Sequence, residues 1–456
     1  MTRKQIFFLG SACILAATLW FFLAIWAQQT NAIAWTASIT LFTAVLWVTE
    51  AIPIPAASII PFALFPFAGV LSHKEVASAL GSHVILLLMG GFMLSKSLEK
   101  SGVHKRLAVY MVTLAGGNSG RRVVIGFMFA SAFLSMWISN TATVLMLIPI
   151  ALAVLQNSDD EAMGVALILG IAYAASLGGI GTPIGTPPNI IFISVYQEST
   201  GKDIDFIAWM KIAIPIVIIG IPLMAVYLTR KVSSNQRFHL PEIGAWRSAE
   251  KRVLIVFGLI AMAWITRRIW SEWFGLDTVG DSTIALLGVV LMFMIPNGEK
   301  QDTLLDWHTA KGIPWGMLLL FAGGIAIAKA FTASGLSEQL GNTLTSLSSL
   351  PLWALILSLC LFVTFLTEIT SNTATATLLM PILAAAAIAT GVDPKLLMIP
   401  AAISASCAFM LPVATAPNAI AYGTERFHIK DMAREGFVLN IVIACVVTGI
   451  CYFIMN

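Results

Sequence analysis

The sequence predicts an all-α polytopic membrane protein, an inverted-repeat chain with eleven membrane helices and two re-entrant hairpins. Three observations predict it. Of the 456 residues, 58% are hydrophobic and only 11% charged, against about 25% charged in soluble domains. Apolar runs long enough to span a bilayer recur along the whole chain. The pentapeptide Ser139-Asn140-Thr141-Ala142-Thr143 returns 232 residues later as Ser371-Asn372-Thr373-Ala374-Thr375, each copy in the middle of an apolar stretch, where an unpaired polar group is costly.

The pentapeptides do not recur alone. Thr186-Pro187-Pro188-Asn189 follows the first copy and Thr415-Ala416-Pro417-Asn418 the second, 229 residues apart. A leucine-rich segment with paired glycines, then Lys96 and Ser101-Gly102, precedes the first; its match, with Lys329 and Ser334-Gly335, precedes the second at a spacing of 233. Features in one order at one spacing mark an internal duplication.

Taken in order, Arg3 and Lys4 lead into an apolar run over 6–26. It resembles a signal peptide but is long enough to span and lacks a convincing cleavage site, so it reads as the first membrane helix. Runs at 33–49, 56–71, 83–98, 162–196, 207–229, 253–270, 281–296, 313–333, 396–424 and 436–455 complete the eleven crossings. The stretches 123–155 and 351–390 hold the pentapeptides and are broken in the middle. The halves of the first fall short of the roughly 20 residues a crossing needs, so both stretches read as hairpins that return to the side they left. With a cytoplasmic N-terminus, 19 of the 26 basic residues fall inside, the bias expected of a membrane protein. Asn157 then faces the cytoplasm and Gly391 the outside. The two halves are oppositely oriented, an arrangement many secondary transporters share.

Several classes are excluded. A net charge of +3 without a basic arm or patch does not suit nucleic acid. Cys13, Cys360, Cys407, Cys445 and Cys451 form no CxxC and lie in apolar segments, so they read as buried thiols. None of the six histidines lies in a tip, and no metal-hydrolase, serine-hydrolase or nucleotide-binding string occurs; no enzyme is expected. A channel would line a continuous pore, whereas polar groups here concentrate at two points. Trp47 and many other tryptophans near segment ends read as interface anchors, and Glu50 as interfacial. Glu368, an acid three residues before Ser371 with Met136 as its repeat counterpart, is expected to play a one-sided structural or gating role.

A hairpin tip exposes carbonyls at the end of one half-helix and amides at the start of the next. Ser, Asn and Thr suit such a start, so plain capping is one account of the pentapeptides. Ser135 and Thr367 lie four residues before Ser139 and Ser371, on the helical face below each tip. With the tip oxygens and loop carbonyls they form a set of neutral oxygen donors suited to a hard cation such as Na⁺; a hydroxyl bonded to its own helix is the plainer account. No Lys or Arg lies in either tip or loop, so an anion there is held by amides, hydroxyls and co-bound cations.

The paired tips, each followed by a broken helix ending in Thr-x-Pro-Asn, resemble the divalent anion:sodium symporter family of dicarboxylate, tricarboxylate and sulfate carriers, and the likeness spans essentially the whole chain. The resemblance implies a multi-pass protein of the cell inner membrane, a homodimer that carries substrate by an elevator movement. Residues 1–120 and 253–350 would be scaffold helices. Residues 121–229 (hairpin 123–155, broken helix 162–196, helix 207–229) and 351–456 (hairpin 351–390, broken helix 396–424, helix 436–455) would be the transport parts, joined through a cytoplasmic linker at 230–252. One Na⁺ would sit with Ser135, Ser139, Asn140 and Gly185, a second with Thr367, Asn372 and Ala414. Ser139, Asn140, Thr141, Thr186, Ser371, Asn372, Thr373 and Thr415 would hold a small dianion, expected to be a C4-dicarboxylate such as succinate co-transported with Na⁺. Cation-independent exchange, or sulfate or citrate as cargo, is the alternative within the family. Ala416, where the first repeat has Pro187, is a departure from the repeat symmetry.

Overall fold

The structure, a computed structural model, describes residues 2–115, 119–156, 160–232, 244–276, 278–299, 302–339 and 351–455. Asn157 and residues 233–243 of the 230–252 linker lie outside the described residues. Among those described the chain is helical, with one isolated β-bridge between Pro296 and Thr303.

The helices are α1 (Arg3–Phe21), α2 (Asn31–Thr49), α3 (Ile54–Ala57), α4 (Ile60–Phe67), α5 (His73–Leu80), α6 (His83–Ser101) and α7 (Val103–Ala115). Next come α8 (Gly120–Ser135), α9 (Asn140–Leu155), α10 (Glu161–Gly179), α11 (Pro187–Thr200) and α12 (Phe206–Thr229). After the linker come α13 (Ser248–Ile265), α14 (Arg267–Phe274), α15 (Asp281–Met294), α16 (Trp307–Ala310) and α17 (Trp315–Ser334). The last helices are α18 (Leu352–Thr367), α19 (Asn372–Ala389), α20 (Lys395–Ala405), α21 (Ala416–Tyr422) and α22 (Ile429–Met455).

Among the described residues eight helices are long and apolar enough to cross a bilayer. Several expected crossings are less regular than their apolar runs. Pro61, at the start of α4, divides the run at 56–71 into α3 and α4, because proline removes an amide and clashes with the preceding turn. The run at 253–270 bends by 77° between α13 and α14. Two short helices carry no long apolar run: α5, fixed by a capping box between Ser72 and Glu75, and α7.

Polar contacts sort the helix ends into two layers. In one, Lys100 pairs with Asp302 and Asp306 at 2.7 and 2.6 Å, Arg106 with Glu250 at 3.1 Å and Arg230 with Glu435 at 2.5 Å. In the other, Arg267 pairs with Asp205 and Asp281 at 3.6 and 3.1 Å, and Lys329 with Glu198 at 3.4 Å. The first layer joins the segments that the basic-residue bias assigns to one side.

The first hairpin starts and finishes beside the segments of the first layer. Arg121, at the start of α8, donates to Val232 O at 2.9 Å, and Leu155, at the end of α9, shares a polar crevice with Arg426 and Asp431. Lys395, just after the second hairpin, lies over the Tyr196 ring at 5.4 Å, close to the Glu198 end of α11. The tips of the two hairpins, Ser139–Thr141 and Ser371–Thr373, line one cavity.

The core lies between them. Ser131 Oγ donates to Ile171 O at 2.7 Å, tying α8 to α10. Two expectations need correction here. Trp47, Trp209 and Trp264 are buried rather than interfacial, their indole N–H groups donating to Ser58 Oγ, Ile180 O and Asp281 O at 3.0, 2.7 and 3.0 Å; a buried indole is stable when its one donor is used. All five cysteines are free, but Cys13 and Cys445 lie on the outer surface, not in the core.

Candidate functional site

The two tips and the two broken loops meet at one cavity of about 450 Å³, within the range of small-molecule sites. From the first repeat Ser139, Asn140, Thr141 and Thr186 line it, and from the second Ser371, Asn372, Thr373 and Thr415. Gly185 and Ala414 also reach its surface. Ser135 and Thr367 are fully buried one layer behind. The chain thus gathers every residue expected to hold the cations or the dianion, with the hydroxyls of Ser135 and Thr367 set back from the open space.

Behind the second tip, Thr367 Oγ stands 2.7 Å from Asn372 Oδ1 and 3.1 Å from Ala405 O. Three oxygens converge there on a single hydroxyl proton, which can satisfy one acceptor well and not two. Behind the first tip, Ser135 Oγ donates to Asn140 Oδ1 at 2.5 Å. A Cβ on Gly179 would lie 2.5 Å from Asn140 Oδ1, and one on Gly185 would lie 3.0 Å from Ser135 O and collide with Gly179 O. Only glycine lets these oxygens approach so closely. Among the described residues no cluster of His, Cys, Asp or Glu forms a metal site; the concentrated donors are neutral oxygens, the set preferred by hard cations.

Capping accounts for part of each pair only. Ser139 Oγ accepts from Ala142 N at 3.3 Å, whereas Ser371 makes no side-chain cap. Thr415 Oγ accepts from Asn418 N at 3.1 Å, whereas Thr186 makes none. A role confined to helix starts would not require both members of each pair.

The asparagines that end the Thr-x-Pro-Asn strings have a role the sequence did not disclose. Asn189 Nδ2 donates to Gly179 O and Thr182 O at 3.1 and 2.7 Å, and Asn418 Nδ2 to Ala408 O and Leu411 O at 3.0 and 3.1 Å. Each staples its own loop across the break, supplying donors to carbonyls the helix has abandoned. Their repetition at matching positions was the available signal.

Glu368 is a brace. Its carboxylate accepts from Phe409 N, Met410 N and Leu411 N at 2.7, 2.9 and 3.0 Å and from Asn440 Nδ2 at 2.8 Å. The second loop, 406–415, is longer than the first, 180–186, and this acid gathers its extra amides. In the first repeat Thr182 Oγ instead donates to Met136 O at 2.5 Å. The asymmetry of Glu368 and Met136 follows from loop length.

The cavity wall adds one pair the tip residues did not foretell: Lys96 and Glu99, both on α6. Lys96 matched Lys329 in the duplication, and only the packing of α6 beside the tips brings it to the cavity.

A helical membrane protein whose two opposed hairpins meet at one cavity of neutral oxygens belongs, as a class, with the inverted-repeat secondary carriers. A family model described as "Citrate transporter" matches residues 44–395. The sodium-dependent dicarboxylate transporter SdcS of Staphylococcus saprophyticus is 42% identical over 443 residues, covering 92% of this chain and 85% of that protein; its Staphylococcus aureus counterpart is 40% identical at the same coverage. The chain belongs to the divalent anion:sodium symporter family. Two solved structures share the fold at 13% identity. The YdaH transporter of Alcanivorax borkumensis has a TM-score of 0.60 over 84% of this chain and 89% of that one; MtrF of Neisseria gonorrhoeae, titled among antimetabolite efflux pumps, has 0.59 over 84% and 83%. Membership in a family of carriers agrees with the lack of enzyme motifs.

Proposed function

We propose that the chain is a Na⁺-coupled carrier of a C4-dicarboxylate such as succinate. The observation that carries this reading is the pair of oxygen nests behind the tips, set in a chain closely similar to proteins named sodium-dependent dicarboxylate transporters. Ser135, Ser139, Asn140 and Gly185 hold one Na⁺, and Thr367, Asn372 and Ala414 a second. Ser139, Asn140, Thr141, Thr186, Ser371, Asn372, Thr373 and Thr415 bind the two carboxylates.

The coupling is electrostatic. Unit charges about 4 Å apart attract by roughly 4 kcal/mol at an effective dielectric of 20, so a dianion among neutral donors is held chiefly when cations sit behind it. Each ligand then strengthens the other by the same factor. The carrier works in the bacterial inner membrane with its N-terminus in the cytoplasm and the two hairpins re-entrant from opposite sides. It is a homodimer in which the hairpins and broken helices travel past α2, α6, α13 and α17 in an elevator movement.

The test is uptake of labelled succinate into proteoliposomes against Na⁺ concentration, for the parent, Ser135→Ala and Thr367→Ala. A steep rise with Na⁺, shifted to higher concentration in both variants, is expected. Uptake indifferent to Na⁺ in the parent would overturn the coupling and leave an exchanger.

A further inference from the structure

The cavity wall carries a charge pair that the tips lack. Lys96 Nζ and Glu99 Oε2 stand 2.6 Å apart, with side chains 31% and 24% exposed. Among the described lining residues these two are the charged ones. The repeat counterpart of Lys96, Lys329, has Thr332 where Glu99 would be, yet it too is neutralised: Glu198 on α11 lies 3.4 Å away, and Nζ donates to Ser78 Oγ at 3.0 Å. Two duplicated lysines receive carboxylates from different elements. What they share is a cancelled charge, not a partner. A partly exposed pair three residues apart on one helix adds little stability, so stability is a weak reason for Glu99 to stand at this wall.

We propose that Glu99 sets the charge of the anion the cavity accepts by occupying Lys96. With Lys96 engaged, a third carboxylate entering beside the tips meets no cation and faces the charge of Glu99, so a dicarboxylate is preferred over a tricarboxylate. With Lys96 released, its ammonium on a flexible four-carbon stem is free to meet that third carboxylate. The inference rests on the reading that the tips bind a dianion. It also gives a physical meaning to a family model described by citrate matching a chain whose relatives are named for dicarboxylates.

The test is binding to the purified full chain in detergent, where both ends of the molecule are open to solution. Labelled succinate is bound in saturating Na⁺ at about pH 8, where citrate's carboxyls are ionised, and displaced by unlabelled succinate or by citrate. The readout is the ratio of the two half-displacing concentrations. In Glu99→Gln the ratio is expected to move toward citrate by at least about fivefold, the factor that about 1 kcal/mol makes, and Glu99→Ala gives the same direction by a second route. Adding Lys96→Gln to Glu99→Gln is expected to return the ratio to about twofold of the parent's or less.

A ratio that stands still in both Glu99 variants while succinate still binds overturns the charge rule alone, as does a shift that survives the loss of Lys96. A helix-stabilising pair would change the melting temperature without moving the ratio. A parent that binds no succinate in Na⁺ overturns the underlying reading and the charge rule with it.

Discussion

Replacing Glu368 with glutamine tests whether the second broken loop is shaped by its brace. Oε1 accepts from Phe409 N, Met410 N and Asn440 Nδ2, and Oε2 from Leu411 N. Glutamine supplies one acceptor oxygen. Placed at the Oε1 position, that oxygen keeps three of the four bonds and turns an amide donor toward Leu411 N, so one bond is lost and a part-buried N–H is left facing another donor. A loss of this kind costs about 1–3 kcal/mol. Glu368→Ala removes both acceptor oxygens and all four bonds, and is expected to cost more. Because Ala414 and Thr415 follow closely on the braced amides, loosening 409–411 is also expected to raise the Na⁺ concentration for half-maximal succinate uptake. Thermal unfolding in detergent and Na⁺ titration of uptake measure the two effects. Parental stability and parental Na⁺ dependence in both variants would refute the brace.

Asn140→Ala and Asn372→Ala are each expected to abolish most uptake while leaving a folded protein, since each side chain faces an oxygen nest and the cavity; near-normal transport by both would sink the site assignment, and failure to fold would favour capping. Cysteines at Gln156 and Asp393 are expected to be labelled by a membrane-impermeant thiol reagent from the cytoplasm and from outside respectively, read against a background without the native cysteines; labelling of both from one side would remove the inverted repeat. Lys100 hydrogen-bonds Asp306 and holds its carboxyl well below the usual carboxylate range. A depressed carboxylate contributes stability that is present above its unfolded pKa and lost as pH falls through the folded value. The gap in melting temperature between the parent and Lys100→Met should therefore hold from about pH 8 to 5 and narrow only below about pH 4; a gap that widens on acidification would show that another group dominates.

The site was legible because lipid makes polar groups conspicuous. In an apolar run Ser-Asn-Thr stands out, and its duplication, with the Thr-x-Pro-Asn strings, identified both tips and both loops before any packing was known. Residues whose roles depend on what crosses in front of them were not legible. Lys96 reads as one more basic residue near a helix end until α6 is laid beside the cavity. Trp47, Trp209 and Trp264 have the positions of interface anchors, and only tertiary contacts show that their N–H groups are used inside. The division of 54–67 was written in its prolines, but hydropathy alone makes that run look like one crossing. Ser72 and Glu75 spelled out the capping box of α5; the helix was missed because it is too short to register as apolar.

The glycines show where this protein can give. A methyl on Gly178 would collide with the carbonyl of Ala132, and one on Gly436 with that of Phe409. At those crossings backbone rests on backbone, with no layer of side chains to shear, so each hairpin or loop is welded to its neighbour. Where α6 and α17 pack against the first broken loop and α19, the glycines do the opposite. A methyl on Gly91 of α6 would lie 3.1 Å from Ile184 Cγ2, and one on Gly324 of α17 would lie 2.6 Å from Thr377 Cγ2. These are duplicated positions, 233 residues apart, each presenting bare backbone to a single branched side chain. Knobs locked in holes must climb out before two helices can slip, whereas a glycine track offers little to climb. If the hairpins and broken helices travel past α6 and α17 as proposed, a side chain larger than hydrogen at Gly91 or Gly324 is expected to act on the rate of passage before it acts on affinity.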